Sequence, residues 1–142
     1  MQVADLMTRS VNTLRSMDST LKAKELMMLR RIRHIPIVSE DGMLEGLVTQ
    51  RDILAATFSR FADVDAVTQE EIDAGIPLAS IMITDVKVVS PTSSVRKAAD
   101  ILLTHKFGCL PVVEGGKLVG ILTEADFLKL TIELLDALDK SA

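Results

Sequence analysis

The chain has 142 residues, enough for one compact body that buries roughly two-thirds of its unfolded surface without disulfide or metal staples. Apolar residues make up 48% but aromatics only 3%, with no Trp or Tyr, so the core must come from Leu, Ile, Val, Met and Ala, and base stacking or an aromatic cage is disfavoured. A formal net charge of -4 argues against a nucleic-acid partner, which needs clustered Lys and Arg. The single Cys109 cannot form an intramolecular disulfide, MQVADLM lacks the residue order of a signal peptide, and no apolar run approaches the roughly 18 residues of a membrane span. The expected setting is reducing and cytoplasmic, with no membrane partner.

In chain order, a short helix at VADLM leads to a brief β-rich stretch around Val11 to Leu14. An amphipathic helix follows, with Asp18, Ser19 or Thr20 as cap and Leu21, Met28 and Ile32 near the spacing of one buried face. The apolar segment His34 to Val38 reads as a strand, and Pro36, which removes a ladder donor, places it at an edge or at a strand start. Asp41-Gly42 is a turn pair leading into a strand over Met43 to Thr49, and a helix follows Thr49.

Residues 57 to 77 read as a connector. Thr68 with Glu71 forms a capping-box pattern, and Gly75 with Pro77 a stop, which predicts a short acidic helix. The series then begins again: PLASIM, a β-rich Val86 to Val89, and a helix capped by Thr92 or Ser93 behind Pro91, with Val95, Leu102 and Leu103 apolar. Cys109 to Val113 and Lys117 to Thr123 are strands joined by Gly115-Gly116. Residues 124 to 139 read as a long final helix whose Phe127, Leu128, Leu130, Leu134, Leu135 and Leu138 make a stripe wide enough to suggest a partner subunit.

The return is a true duplication. Met7, Val11, Ser19, Lys22, Ala23, Pro36 and Val38 meet Met82, Val86, Ser94, Lys97, Ala98, Pro111 and Val113, all at an offset of 75. The first turn is one residue longer, so Gly46, Thr49, Asp52 and Leu54 meet Gly120, Thr123, Asp126 and Leu128 at an offset of 74. A lone Thr-x-x-Asp is a weak signal, whereas two copies in an ordered repeat are a strong one.

Two mixed α/β units of β-α-β-β-α order, each with an apolar-Pro-apolar strand and a segment of the form Gly, two apolar residues, Thr-x-x-Asp (GLVTQRD and GILTEAD), resemble a pair of cystathionine β-synthase (CBS) domains, or Bateman module. The resemblance covers residues 3 to 56 and 78 to 131, with the last helix continuing to about 139. It implies pseudo-two-fold repeats, clefts between them that bind AMP, ADP, ATP or S-adenosylmethionine, homodimers, and regulation of a protein supplied in trans. It also implies that Asp52 and Asp126 bind ribose, that Thr49 and Thr123 meet ribose or phosphate, and that Ile35, Pro36, Leu110 and Pro111, with Thr13 and Val88, line the adenine slots; for these apolar slot residues simple core packing is the equal alternative.

The chemistry suits those roles. A carboxylate in the first turn of a helix can accept two ribose hydroxyls, through charge-assisted bonds of roughly 1.5 to 3 kcal/mol each. The same Thr and Asp are also ordinary N-cap residues, and the two uses are compatible for the threonines. Arg51 has Ala125 as its counterpart, and Arg30, Arg31, Arg33 and His34 face a matching stretch of His105, Lys106, Gly108 and Cys109. Guanidinium forks suit phosphate, so Arg33, His34 and Arg51 are candidate phosphate contacts of the first repeat, the alternative being a solvated helix end.

Two His and one Cys give no metal-ligand spacing, and neither a Gly-rich phosphate loop nor a Ser-His-Asp order occurs. Cys109, in an apolar strand, reads as an inert buried thiol. A non-catalytic regulatory module is therefore expected, with a ligand-free dimerisation scaffold as its rival.

Overall fold

The structure is a computed structural model and describes residues 1–58 and 65–141; residues 59–64 of the sequence-defined connector lie outside the described residues. After α1 (Val3–Leu6), the first long helix is α2 (Thr20–Arg30). Of its three candidate caps, Ser19 accepts the Lys22 N–H at 3.1 Å. Asp18 instead takes the Arg15 N–H at 2.7 Å and the Lys22 ammonium at 3.2 Å, and the Thr20 hydroxyl donates to the Ile76 carbonyl at 3.0 Å. The buried face is Thr20, Ala23 and Met27 rather than one built on Leu21 and Met28, and Met28 is 81% exposed. Small Ala23 at the centre of that face lets the helix sit close to the strand that follows.

Arg31 adopts the left-handed conformation at φ 54, with its N–H on the Met27 carbonyl, and so reverses the chain. Strands β1 (His34–Val38) and β2 (Leu44–Thr49) then pair antiparallel, with His34 opposite Thr49, Ile35 opposite Val48 and Pro36 opposite Leu47. The expected β-rich stretch before α2 shrinks to one parallel bridge between Leu14 and Ile37, because Asp18 draws the chain into a turn at Arg15 immediately afterwards. Helix α3 (Gln50–Phe58) starts directly from β2.

In the connector, α4 (Ala66–Gly75) is capped by Asp65, which accepts the Thr68 N–H at 2.8 Å, so Thr68 stands inside the helix and the expected Thr68–Glu71 capping box does not form. Asp73 is fully buried, and it receives the Lys24 ammonium at 2.6 Å and the Gln69 amide at 3.0 Å. That ion pair fastens α4 to α2. A 3-10 turn at Leu78–Ser80 follows.

The second repeat restates the first. Helix α5 (Val95–His105) is capped by Ser94, which accepts the Lys97 N–H at 3.0 Å; Thr92 and Ser93 do not cap it, since the Ser93 hydroxyl is used by the Ser90 N–H at 3.1 Å. It buries Val95, Ala98 and Leu102, leaves Leu103 exposed, and ends at Lys106 in the left-handed region, as α2 ends at Arg31. Strands β3 (Cys109–Glu114) and β4 (Lys117–Thr123) pair antiparallel, Val89 adds one parallel bridge to Val112, and α6 (Glu124–Ser141) completes the chain. Cys109 is buried, which pushes its thiol up to about 12, far from the thiolate that nucleophilic chemistry needs. Among the described residues, no helix is long and apolar enough to cross a membrane.

The compact units do not follow the repeat boundaries, because the lead segments are exchanged. Residues 12–86 form one unit, and residues 1–11 with 87–142 form the other. Val3 and Met7 join a core of Val89, Ala98, Leu102, Leu110, Val112 and Leu122, and Thr8 exchanges two backbone hydrogen bonds of 2.9 Å with Ile121. Leu78 in turn joins Leu14, Ala23, Met27, Ile35, Ile37, Val48 and Ile53, and Ile83 exchanges bonds of 2.8 and 2.9 Å with Leu47.

This exchange explains the glycine of each motif. A Cβ on Gly46 would lie 2.8 Å from Met82 Sδ and 2.9 Å from the Ile83 carbonyl oxygen; on Gly120 it would lie 2.6 Å from Met7 Sδ and 3.1 Å from the Thr8 oxygen. Each glycine thus makes room for the incoming Met-x segment.

Candidate functional site

β2 ends at Thr49 and α3 opens at Gln50, so Asp52 falls in the first helical turn. Its Oδ2 accepts the Thr49 N–H at 3.0 Å and the Thr49 hydroxyl at 2.7 Å, while its own N–H donates to Thr49 Oγ1 at 3.1 Å. This reciprocal cap fixes the carboxylate and leaves Oδ1 without a partner among the described residues. Asp52 remains partly exposed.

The predicted phosphate contacts gather at the same end of the hairpin. The Gln50 N–H donates to the Arg33 carbonyl at 2.9 Å and His34 stands opposite Thr49, so Arg33, His34, Thr49, Arg51 and Asp52 are neighbours in the fold. Arg33 and Arg51 are exposed, and among the described residues no carboxylate forms an ion pair with either. Two exposed arginines at the same junction as an accepting carboxylate oxygen are the residue types that suit a phosphate and a sugar hydroxyl.

The second junction has the same start and a different end. Asp126 Oδ2 accepts the Thr123 N–H at 2.9 Å, but the Thr123 hydroxyl is 3.4 Å away. Its Oδ1 is taken by the Thr8 hydroxyl at 2.9 Å, and Asp126 is 5% exposed. Ala125 and Cys109 stand where the first repeat has Arg51 and His34. Thr8 escaped the sequence reading; the only signal was that the aligned pair Met7-Thr8 and Met82-Ile83 is polar in one copy alone.

The predicted adenine slots fare differently from the junctions. Ile35 and Leu110 are completely buried in the two cores, and Pro36 and Pro111 are almost equally so. Their side chains are packing groups, and the Pro36 and Pro111 carbonyls accept the Leu14 and Val89 N–H groups at 3.2 and 3.1 Å. Thr13 is half-buried beside that bridge. Val88 is exposed and lines a groove of about 270 Å³ with Lys87, Ser90, Ser93, Lys97 and Ile101, a setting that sequence spacing did not indicate. Among the described residues no cluster of His, Cys, Asp or Glu could hold a metal ion.

Comparison with known proteins places this geometry. The CBS domain profile matches residues 3–59 and 78–133. The chain is similar to a putative acetoin utilization protein from Vibrio cholerae, with TM-score 0.84, 38% identity, and coverage of 98% of this chain and 97% of the other. It is also similar to CBSX2, a CBS-pair protein from Arabidopsis thaliana, solved in complex with AMP (TM-score 0.79, 27% identity, 94% and 97% coverage). A third similar structure is the CBS domain pair of protein MJ0100, in complex with 5'-methylthioadenosine and S-adenosyl-L-methionine (TM-score 0.75, 25% identity, 92% and 95% coverage). The homoserine O-acetyltransferase of Methanocorpusculum labreanum is 35% identical over 124 residues, but the chain spans only 23% of that relative's length.

Proposed function

Because this chain carries two CBS domains and belongs to that family, we propose that it is a non-catalytic regulatory module that binds an adenosine-containing ligand and modulates a partner protein. The observation that carries the reading is the first junction. Asp52 is held by Thr49 with one oxygen left to accept ribose hydroxyls, and the exposed Arg33 and Arg51 belong to the same junction and are the proposed phosphate contacts. Similar structures solved with AMP and with S-adenosyl-L-methionine support the ligand class. The two exposed guanidinium groups favour a phosphorylated member of that class, AMP, ADP or ATP.

Regulation acts by differential affinity: a ligand preferring one arrangement of the module, or one partner-bound state, shifts the population toward it. Self-association belongs to the same reading. Leu128, Ile132 and Leu135 are exposed along one side of α6, and Leu54 with Leu128 and Met28 with Leu103 are exposed apolar pairs at repeat-equivalent positions. A second copy of the chain is the proposed cover, and a reducing, cytoplasmic setting suits the single buried thiol.

A thermal-shift panel of AMP, ADP, ATP, NAD and S-adenosylmethionine tests the ligand. Saturation at about 100 times the dissociation constant stabilises the folded chain by roughly 2.7 kcal/mol, a rise of several degrees. Absence of a shift with every compound, with no heat on titration, would leave the scaffold reading in its place.

A further inference from the structure

The two aspartates differ in one neighbour, and that neighbour arrives from the exchanged lead segment. Thr8 pairs through its backbone with Ile121, and this brings its hydroxyl 2.9 Å from Asp126 Oδ1. In the other unit Ile83 takes the same place, pairing through its backbone with Leu47, and its side chain has no hydrogen to donate. Asp126 is accordingly engaged at both oxygens and 5% exposed, while Asp52 is engaged at one oxygen and partly open.

We infer that Thr8 occupies the second aspartate as an internal substitute for a ligand hydroxyl, and that Ile83, in the equivalent place, leaves the first aspartate open. The chain therefore takes one adenosine-containing ligand, at Asp52. The inference rests on the adenosine-binding reading and adds the residue pair that selects between the two junctions. A ribose hydroxyl approaching Asp126 must displace a charge-assisted hydrogen bond that is already made, and the second junction has Ala125 where the first has the cationic Arg51. The Thr123 hydroxyl contact is longer, 3.4 Å against 2.7 Å at Thr49, so the second carboxylate is held by its own threonine mainly through the backbone N–H at 2.9 Å and by Thr8 at its other oxygen.

Calorimetric titration of the full chain with AMP, ATP and S-adenosylmethionine in turn tests this. The wild type should bind one ligand per chain, Asp52→Asn should abolish binding, and Asp126→Asn should retain it. Thr8→Val, which keeps shape but removes the donor, should open a second site, and Thr8→Ser should restore single occupancy, a rescue that a purely structural role for Thr8 would not produce. Ile83→Thr, which installs the donor at the first junction, should weaken binding by about tenfold or more. Two ligands bound by the wild type, or one ligand lost with Asp126→Asn and kept with Asp52→Asn, overturns the role of Thr8 while leaving the module an adenosine binder. Silence of the wild type and Thr8→Val chains toward all three compounds overturns the adenosine reading itself, and this inference with it.

Discussion

At the two Thr-x-x-Asp junctions the aspartate accepts the threonine N–H at nearly the same distance, 3.0 Å at Asp52 and 2.9 Å at Asp126. Their remaining oxygens have opposite fates, one open and one bound to Thr8 from 118 positions away. A motif of four residues sets the local cap by itself, because its partners are three positions apart. What the cap can still bind is set by a distant segment, which the motif does not encode.

The same pairing of near-identical local parts with different long-range neighbours can be broken elsewhere. The largest effect is expected from Lys24→Ala. Asp73 would remain fully buried with Gln69 as its one side-chain partner among the described residues, and loss of one member of a buried pair costs about 3 to 5 kcal/mol. The lower end is expected, since the Lys24 side chain is 36% exposed. Urea unfolding monitored by circular dichroism measures it, and Ala99→Lys at the equivalent place of the second repeat, with no Asp73 to meet, should give no matching gain.

Next come the glycines. Gly46→Ala and Gly120→Ala each overpack the exchanged segment, at about 1 to 3 kcal/mol. Gly46 should be the costlier site, because its added Cβ meets the Ile83 backbone oxygen at 2.9 Å, while at Gly120 the close contact at 2.6 Å is with the flexible Met7 side chain. Equal denaturation midpoints for the two variants would contradict that ranking.

Smaller still are the caps. Ser19→Ala and Ser94→Ala should each cost about 1 kcal/mol, with the second felt more because Asp18 lends extra order ahead of α2 and Ser93 stands in its place ahead of α5.

The smallest effect is one of pH. The Arg15 N–H on Asp18, aided against partial burial by the Lys22 ammonium, holds that carboxyl below its ordinary value of 3.8. A carboxyl depressed by folding adds stability that is fully present above the unfolded value and is lost as pH falls through the folded one. The denaturation midpoint should therefore drop as pH falls below about 3.8, and Asp18→Ser, which copies the neutral Ser93–Ser90 turn, should flatten that drop.

Much of the fold was legible because periodicity and duplication are local signals read twice. The hairpins, the paired helices and the motif aspartates stand where the spacing placed them. The caps of α4 and α5 slipped by one to three residues, to Asp65 and Ser94, since several hydroxyl and carboxylate side chains compete at a helix start and only backbone geometry selects among them. Ile35 and Leu110 looked equally fit for a slot wall or a core, because an apolar side chain carries no mark of what covers it; both lie in the cores.

From the sequence alone come the two-fold repetition, the CBS family, the absence of catalytic and metal-ligand patterns, and the Thr49–Asp52 and Thr123–Asp126 pairs. The repetition, the missing patterns and the two pairs are properties of residue type and spacing along the chain, and the family follows from their resemblance to CBS domains, which the profile match bears out. The tertiary structure decided the exchange of the lead segments, the demand for glycine at 46 and 120, and the inequality of the two aspartates. Those depend on which backbone arrives beside β2 or β4. Long-range pairing is fixed by the packing of whole units, and only there do Thr8 and Ile83, aligned residues of two similar segments, become a donor at one carboxylate and none at the other.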